Sequence, residues 1–139
     1  DIAPMEISFN SLSFQKPIAA SSNLKGHWSN HQWVDLKAAN NGDWSGAFWE
    51  PEENDKEPWV EIDLGERKKV TKAIIYERGS AVSAFELQAL EGDRWKTIHS
   101  GTAIGNKTEM EFPGTETQKI RLVLKGFSGV PGIYEIVLL

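Results

Sequence analysis

The chain has 139 residues, 40% of them apolar and 25% charged, with a formal net charge of -5 and no cysteine. This length fits one domain with a substantial core. The acidic balance argues against nucleic acid or an anionic membrane as a partner, because both attract clustered basic residues, and the absence of cysteine excludes disulfides and thiolate metal sites.

Short strands separated by turn residues dominate the chain, which is typical of an all-β sandwich or barrel. Residues 1–8 show little alternation, which predicts a linker or an edge segment before a domain over residues 9–139. The predicted strands are, in chain order, residues 11–15, 59–64, 70–76, 84–90, 94–98, 108–112, 119–125 and 134–139. Residues 32–37 are the one place where we expect a short helical turn.

The clearest local pattern is the strand that carries Val60, Ile62 and Leu64 on one face, followed by Gly65 and a second strand. This is a hairpin-like unit of an antiparallel sandwich. By contrast, residues 21–56 contain four of the six tryptophans but few strand signals. A long loop in a compact domain is usually functional or carries short structure of its own, so we expect a site there.

Several short motifs occur in a characteristic order. They are residues 39–43 (ANNGD), 47–49 (AFW), 57–65 (EPWVEIDLG), 92–95 (GDRW), 119–122 (KIRL) and 131–136 (PGIYEI). In this order they resemble the discoidin, or coagulation factor type C, domains and their bacterial relatives, the family 32 carbohydrate-binding modules. Residues 100–105 (SGTAIG) resemble part of the sandwich domains appended to bacterial α-L-fucosidases. The resemblance implies a jelly-roll β-sandwich of the galactose-binding type with about eight strands.

The resemblance also implies a sugar site on the loops at one end of the sandwich. In family 32 modules an arginine follows the strand after Asp-Leu-Gly, and an aromatic residue precedes the final strand. Arg78 and Phe127 match these two positions. A histidine commonly follows the Thr-x-Trp motif in the family, whereas this chain has Glu50, which is a hydroxyl acceptor but departs from the galactose-type pattern. Arg78 has the alternative of a surface ion pair with a neighbouring glutamate.

Further candidates come from the long loop, because a pyranose packs its C–H face on an aromatic ring and pairs its hydroxyls with polar groups. They are His27, Trp28 and Trp44. The tryptophans at motif positions are expected to pack in the core or at its edge instead; they are Trp49, Trp59 and Trp95. The acidic run over residues 50–57 is predicted to be a solvated loop.

Many members of the resembled family hold a structural calcium ion through oxygen ligands. The corresponding residues here are Asn41, Asp43 and Glu135, while Ala47 stands where the family has a hydroxyl. Calcium prefers six to eight oxygen ligands, so losing a carboxylate and a hydroxyl weakens the predicted site without abolishing it.

The predicted function is non-catalytic glycan binding, because no motif places the paired carboxylates that glycoside hydrolysis needs. The expected ligand is a glycan with a terminal galactose-, N-acetylhexosamine- or fucose-type sugar, and the expected partner is a tethered catalytic domain. We expect a secreted, periplasmic or cell-surface monomer that targets a glycoside hydrolase. Two alternatives stay open: a structural sandwich that packs on a catalytic domain, and a protein or phospholipid adhesion module. No apolar run is long enough to insert into a membrane.

Overall fold

The computed structural model describes the backbone of residues 4–24, 27–29, 32–42 and 46–139, and the side chains of residues 7–24, 34–42 and 46–139. The elements are, in chain order, α1 (Pro4–Phe9), β1 (Ile18–Ala20), β2 (His27–Ser29), β3 (Gln32–Val34), a 3-10 helix (Leu36–Asn40), β4 (Trp59–Glu77), β5 (Val82–Glu91), β6 (Arg94–Gly101), β7 (Thr108–Phe127) and β8 (Ile133–Leu138). None of the described helices is long and apolar enough to cross a bilayer.

Six of the eight strands form one antiparallel sheet in the order β1-β4-β7-β5-β6, with β8 paired to β4. The remaining strands, β2 and β3, form a separate small hairpin. The predicted all-β class and antiparallel arrangement are therefore confirmed.

The sheet folds over into two layers because β4 and β7 are long and bend. They pair from Trp59 opposite Val123 to Ile75 opposite Thr108, with an irregularity between Asp63 and Lys68. The first half of β4 pairs with β1 and the second half with β8. Side chains from both halves are buried in the same apolar cluster, so the ribbon closes on itself as a sandwich.

Period-two alternation builds this core. In the first half of β4, Val60, Ile62 and Leu64 are 1% exposed, while the residues between them are only half-buried. Each such side chain contributes about 1.5–3 kcal/mol by leaving water. Trp49, in an isolated bridge with Ile133, is fully buried in the same cluster. The prediction that Trp49 packs in the core is confirmed.

A second, smaller cluster lies on the outer face of the β4 and β8 layer. It consists of Ile74, Tyr76 and Val137, with Ile7 packed against it. Because Ile7 belongs to α1, the start of the chain covers this outer face. The predicted linker or edge segment over residues 1–8 is wrong for residues 4–8, which form a helix that contributes to packing.

Two further predictions need correction. Residues 11–15 form bends and turns rather than a strand, because the buried Ser13 hydroxyl donates to the Ile136 carbonyl oxygen and accepts from the Leu138 N–H, and the first strand begins at Ile18. The helical turn expected at residues 32–37 is displaced. Residues 32–34 are strand β3, and the 3-10 helix follows Asp35, whose carboxylate accepts the Lys37 N–H as an N-cap.

Candidate functional site: a cleft among the loops at one end

One end of the sandwich, here called the loop end, is built from residues 78–81, 102–107 and 128–132. Glu77 joins two of these loops. Glu77 is 1% exposed, and its carboxylate accepts the N–H groups of Val82 (3.0 Å) and Gly105 (2.9 Å). Burial raises the pKa of Glu77, and the backbone donors partly offset this effect. Glu77 is thus a buried acid that holds the loop end in shape.

A cleft of ≈ 700 Å³ opens beside this end, between the loop before β4 and the end of β7. Its lining contains one aromatic ring, four charged side chains and several small or apolar residues. They are Leu24, Glu50, Pro51, Glu53, Lys56, Lys125, Gly126, Phe127, Gly129 and Val130. Two carboxylates and two ammonium groups therefore surround a half-buried phenyl ring.

The predicted residues Phe127 and Glu50 both line this cleft. Phe127 is half-buried and packs against the core, while Glu50 is 7% exposed. Val130, 59% exposed, extends the apolar lining beyond Phe127. An aromatic surface beside buried and exposed charges can contact an apolar C–H face and pair hydroxyl groups at the same time.

Arg78 lies at the same end but is not among the residues that line the cleft. Its backbone N–H donates to the Gly132 carbonyl oxygen (2.8 Å), and its guanidinium lies 4.9 Å from the centre of the Phe48 ring. Phe48 is fully buried, so Arg78 contributes to covering it. The two halves of the predicted pair share one end of the sandwich, since Val82 pairs with Phe127. Their joint role in binding stays a prediction.

The wall of the cleft formed by residues 50–57 is held by a polar clasp that the sequence pattern did not indicate. The Asp55 carboxylate accepts the hydroxyls of Ser21 (2.5 Å) and Ser22 (2.7 Å). These hydroxyls in turn accept the N–H groups of Trp59 and Glu52, each at 2.9 Å. The prediction of a solvated acidic loop is confirmed for Glu52, Glu53 and Glu57, which are exposed, whereas Glu50 is buried and Asp55 is hydrogen-bonded to the two serines. The pair Ser21-Ser22, which lies between β1 and the long loop, was the available signal.

The remaining long-loop candidates have no described side chain. His27 and Trp28 lie in strand β2, and only their backbone is described. Trp44 lies outside the described residues. Their roles as sugar ligands stay predictions.

Two tryptophans flank an arginine on the outer face of the sheet. The Arg121 guanidinium lies 3.8 Å from the centre of the Trp59 ring and 4.1 Å from that of Trp95, and it donates to the Glu61 carboxylate (2.8 Å). Trp59 and Trp95 are half-buried and belong to neither core cluster, so of the expected packing in the core or at its edge, packing in the core is wrong for these two. Stacking on Arg121 explains how they lose exposure without joining the core.

Of the three predicted calcium ligands, the structure places Glu135 beside the turn that contains Asn41. Glu135 is 1% exposed, and its carboxylate accepts the Gly42 N–H at 3.1 and 3.3 Å, which places it at the turn containing Asn41. Asp43 lies outside the described residues. Within the described ranges no three acidic or histidine side chains converge as a metal cluster. Glu135 and the Asn41 turn supply a carboxylate and neutral oxygens, the donor types that calcium takes, so calcium stays a prediction.

This architecture, a six-stranded antiparallel sheet folded into a sandwich with a cleft at its loop end, is that of a discoidin-type β-sandwich. The chain belongs to the F5/8 type C domain family, whose model matches residues 17–137.

Similar proteins include both whole enzymes and isolated modules. The chain is 28% identical over 114 residues to the rice (Oryza sativa subsp. japonica) protein named "Putative alpha-L-fucosidase 1", and this match covers 80% of the chain but only 22% of the rice protein. The chain thus spans about a fifth of that relative.

The solved structures that share the fold include these two examples. One is chitosan-binding module 2 of a chitosanase/glucanase from Paenibacillus sp. IK-5 in complex with chitotriose, with a TM-score of 0.79, 18% identity, and coverage of 91% of this chain and 98% of that one. The other is the module CpGH89CBM32-5 from Clostridium perfringens in complex with GalNAc-β-1,3-galactose, with a TM-score of 0.73, 20% identity, and coverage of 88% and 94%. At these identities the likeness is one of fold.

Proposed function

We propose that this domain is a non-catalytic carbohydrate-binding module and that its glycan site is the cleft lined by Phe127, Glu50 and Lys125, with Arg78 beside it. The expected ligand is a neutral glycan with a terminal galactose-, N-acetylhexosamine- or fucose-type sugar. As part of a secreted, periplasmic or cell-surface glycoside hydrolase, the module would raise the local concentration of the catalytic domain at its substrate.

The composition of the cleft carries this proposal. Phe127 offers a ring to a pyranose C–H face, Glu50 and Glu53 accept hydroxyl hydrogen bonds, and Lys56 and Lys125 donate them. Lys125 forms a 3.0 Å ion pair with Glu57, and the hydrogen bond to this carboxylate raises the pKa of Lys125. A cleft with an aromatic surface and both kinds of hydrogen-bonding partner suits a sugar.

The relatives support the same conclusion. Two modules of this fold are bound to chitotriose and to GalNAc-β-1,3-galactose, and the rice relative is named as a fucosidase. Because this chain matches only a fifth of the rice protein, the remaining length in such a parent would accommodate a catalytic domain.

A glycan array followed by calorimetric titration of the best ligand tests the proposal. Replacing Phe127 with leucine keeps an apolar side chain against the core but removes the ring, so we expect about 3- to 10-fold weaker binding. Phe112→Leu is the matched control, because Phe112 is also a half-buried phenylalanine of β7 packed on the core but does not line the cleft. If the folded wild-type domain binds no glycan on the array, the proposed function is refuted. If Phe127→Leu and Phe112→Leu lose affinity equally, the cleft is refuted as the site.

A structural role against a catalytic domain is the second candidate, favoured by the outer-face stack. Trp59, Trp95 and Arg121 are of the residue types enriched at protein interfaces, and they lie together on one face of the sheet. In the intact parent protein, this role predicts that Trp95→Ser weakens the contact between domains and leaves glycan binding unchanged.

A further inference from the structure

A second cavity, here called the lysine pocket, shares no described lining residue with the cleft. Its volume is ≈ 550 Å³, and it opens between the turn that precedes β1 and the 3-10 helix. Two lysines, three carboxamide side chains and two apolar residues line it. They are Gln15, Lys16, Pro17, Ile18, Lys37, Asn40 and Asn41.

The lysine pocket is a built feature, because a buried amide fixes its wall. Asn40 is 2% exposed, and its side-chain nitrogen donates to the carbonyl oxygens of Ser13 and Lys16, each at 2.9 Å. The Asn40 carbonyl oxygen accepts the Gln15 N–H at 2.8 Å. These bonds tie the turn before β1 to the 3-10 helix across the pocket.

Backbone strain is stored at the same place. Among the described residues, Gln15 is the one non-glycine residue with a left-handed backbone, at φ 53°. A conformation of this kind costs about 1 kcal/mol or more, persists only where its surroundings hold it, and occurs preferentially at functional sites. Here the bond to Asn40 holds it at the wall of a cavity.

The charge inside the lysine pocket is unbalanced. Among the described residues that line it there is no carboxylate, although the whole chain has 20 acidic and 15 basic residues. In the described structure, neither Lys16 nor Lys37 forms an ion pair. Glu66, whose pKa is lowered mainly by its hydrogen bond to Lys68 and only slightly by Lys16, is engaged elsewhere. One carboxylate oxygen of Asp35 accepts the Lys37 N–H as the N-cap of the 3-10 helix.

We propose that the lysine pocket binds the carboxylate or sulfate group of an acidic saccharide. Two ammonium groups supply charge-assisted hydrogen bonds to an anionic group, and the exposed carboxamide of Gln15, which lines the same pocket, can pair an adjacent hydroxyl. The described part of the lining has no aromatic ring, so the proposed recognition rests on the charged group rather than on stacking a pyranose face. This inference goes beyond the proposed function, since it shares no residue with the cleft at the loop end.

The test is an NMR titration of the 15N-labelled chain at constant ionic strength with glucuronate, glucose and inorganic sulfate. Saturable shifts with glucuronate, centred on the amides of residues 15, 16, 18, 37, 40 and 41, are expected, whereas glucose should leave them unchanged. Each of Lys16→Gln and Lys37→Gln should weaken binding about tenfold. Lys96→Gln, which removes an exposed lysine of the edge strand β6, is the control and should have no effect.

Gln15→Glu provides a variant that keeps both lysines and places a carboxylate in the pocket, so it should weaken glucuronate binding by repulsion. Phe127→Leu should leave glucuronate binding intact, which separates this proposal from that of the cleft. Equal shifts with glucose and glucuronate, or unchanged affinity in both lysine variants, would overturn the proposal. Sulfate binding as tightly as glucuronate would overturn its saccharide part and leave a simple anion site.

Discussion

Removing the Asp55 carboxylate is expected to loosen the cleft wall. Asp55→Ala deletes the shared acceptor of the Ser21 and Ser22 hydroxyls, at 2.5 and 2.7 Å. Both bonds are partly open to water, so each contributes about 0.5–1 kcal/mol, for a total loss of about 1–2 kcal/mol in the free energy of unfolding. At roughly 4 °C per kcal/mol for a chain of this size, Tm should fall by about 4–8 °C.

Glycan affinity should fall together with stability. The released segment carries Glu50 and Glu53, so the sugar has to order this wall as it binds, and we expect about 3- to 10-fold weaker binding. Urea unfolding and calorimetric titration measure the two effects. Glu52→Ala is the control, because Glu52 is an exposed residue of the same acidic segment whose carboxylate makes no hydrogen bond to Ser22; its change should stay within about 0.5 kcal/mol. An Asp55→Ala protein as stable as the control would refute the clasp.

Three further outcomes are expected. Gly101→Ala places a Cβ 2.5 Å from the buried Phe85 ring and should lower the free energy of unfolding in urea by about 1–3 kcal/mol. Gly114→Ala is the control, because its Cβ meets only the flexible side chain of Lys69, and it should lower this free energy by less than about 0.5 kcal/mol. Similar losses in the two variants would contradict this account. Burial raises the pKa of Glu77 in the folded state, so on leaving the usual titration range of glutamate the folded protein retains a proton that the unfolded chain has lost. The stability advantage over Glu77→Gln should therefore shrink as pH rises above that range; a constant difference would argue against the raised pKa. If calcium is bound, a chelator should lower Tm and added calcium should restore it, whereas an unchanged Tm would remove calcium from the site.

Much of the fold was predictable because burial on one face of a strand leaves a direct mark on the sequence. The alternation of Val60, Ile62 and Leu64 identified a half-buried strand, and the structure buries those three side chains. The continuity of β4 was not predictable, because Gly65 and the charged residues after it have the composition of a turn. Backbone pairing with β7 carries the strand through this segment, and backbone hydrogen bonds leave no side-chain pattern.

The site was predictable only where local chemistry was unusual. Phe127, between Gly126 and a Ser-Gly pair, is poorly placed for a core, and the structure puts it in the lining of the cleft. Asp55 was missed because its partners lie more than thirty residues earlier in the chain, and a single sequence does not reveal such pairings. The stacking of Arg121 between Trp59 and Trp95 depends on three separate strands and was missed for the same reason.

The long ribbon of β4 and β7 has a consequence for how the domain denatures. Each of these strands belongs to both layers. Unfolding one layer therefore also breaks hydrogen bonds of the strands that form the other. Melting should therefore be all-or-none, with fluorescence and circular dichroism reporting a single midpoint. Refolding should be slow for the chain length, because residues far apart in the chain have to pair before most of the core forms. Trp59 and Val123, which lie opposite each other in β4 and β7, are an example.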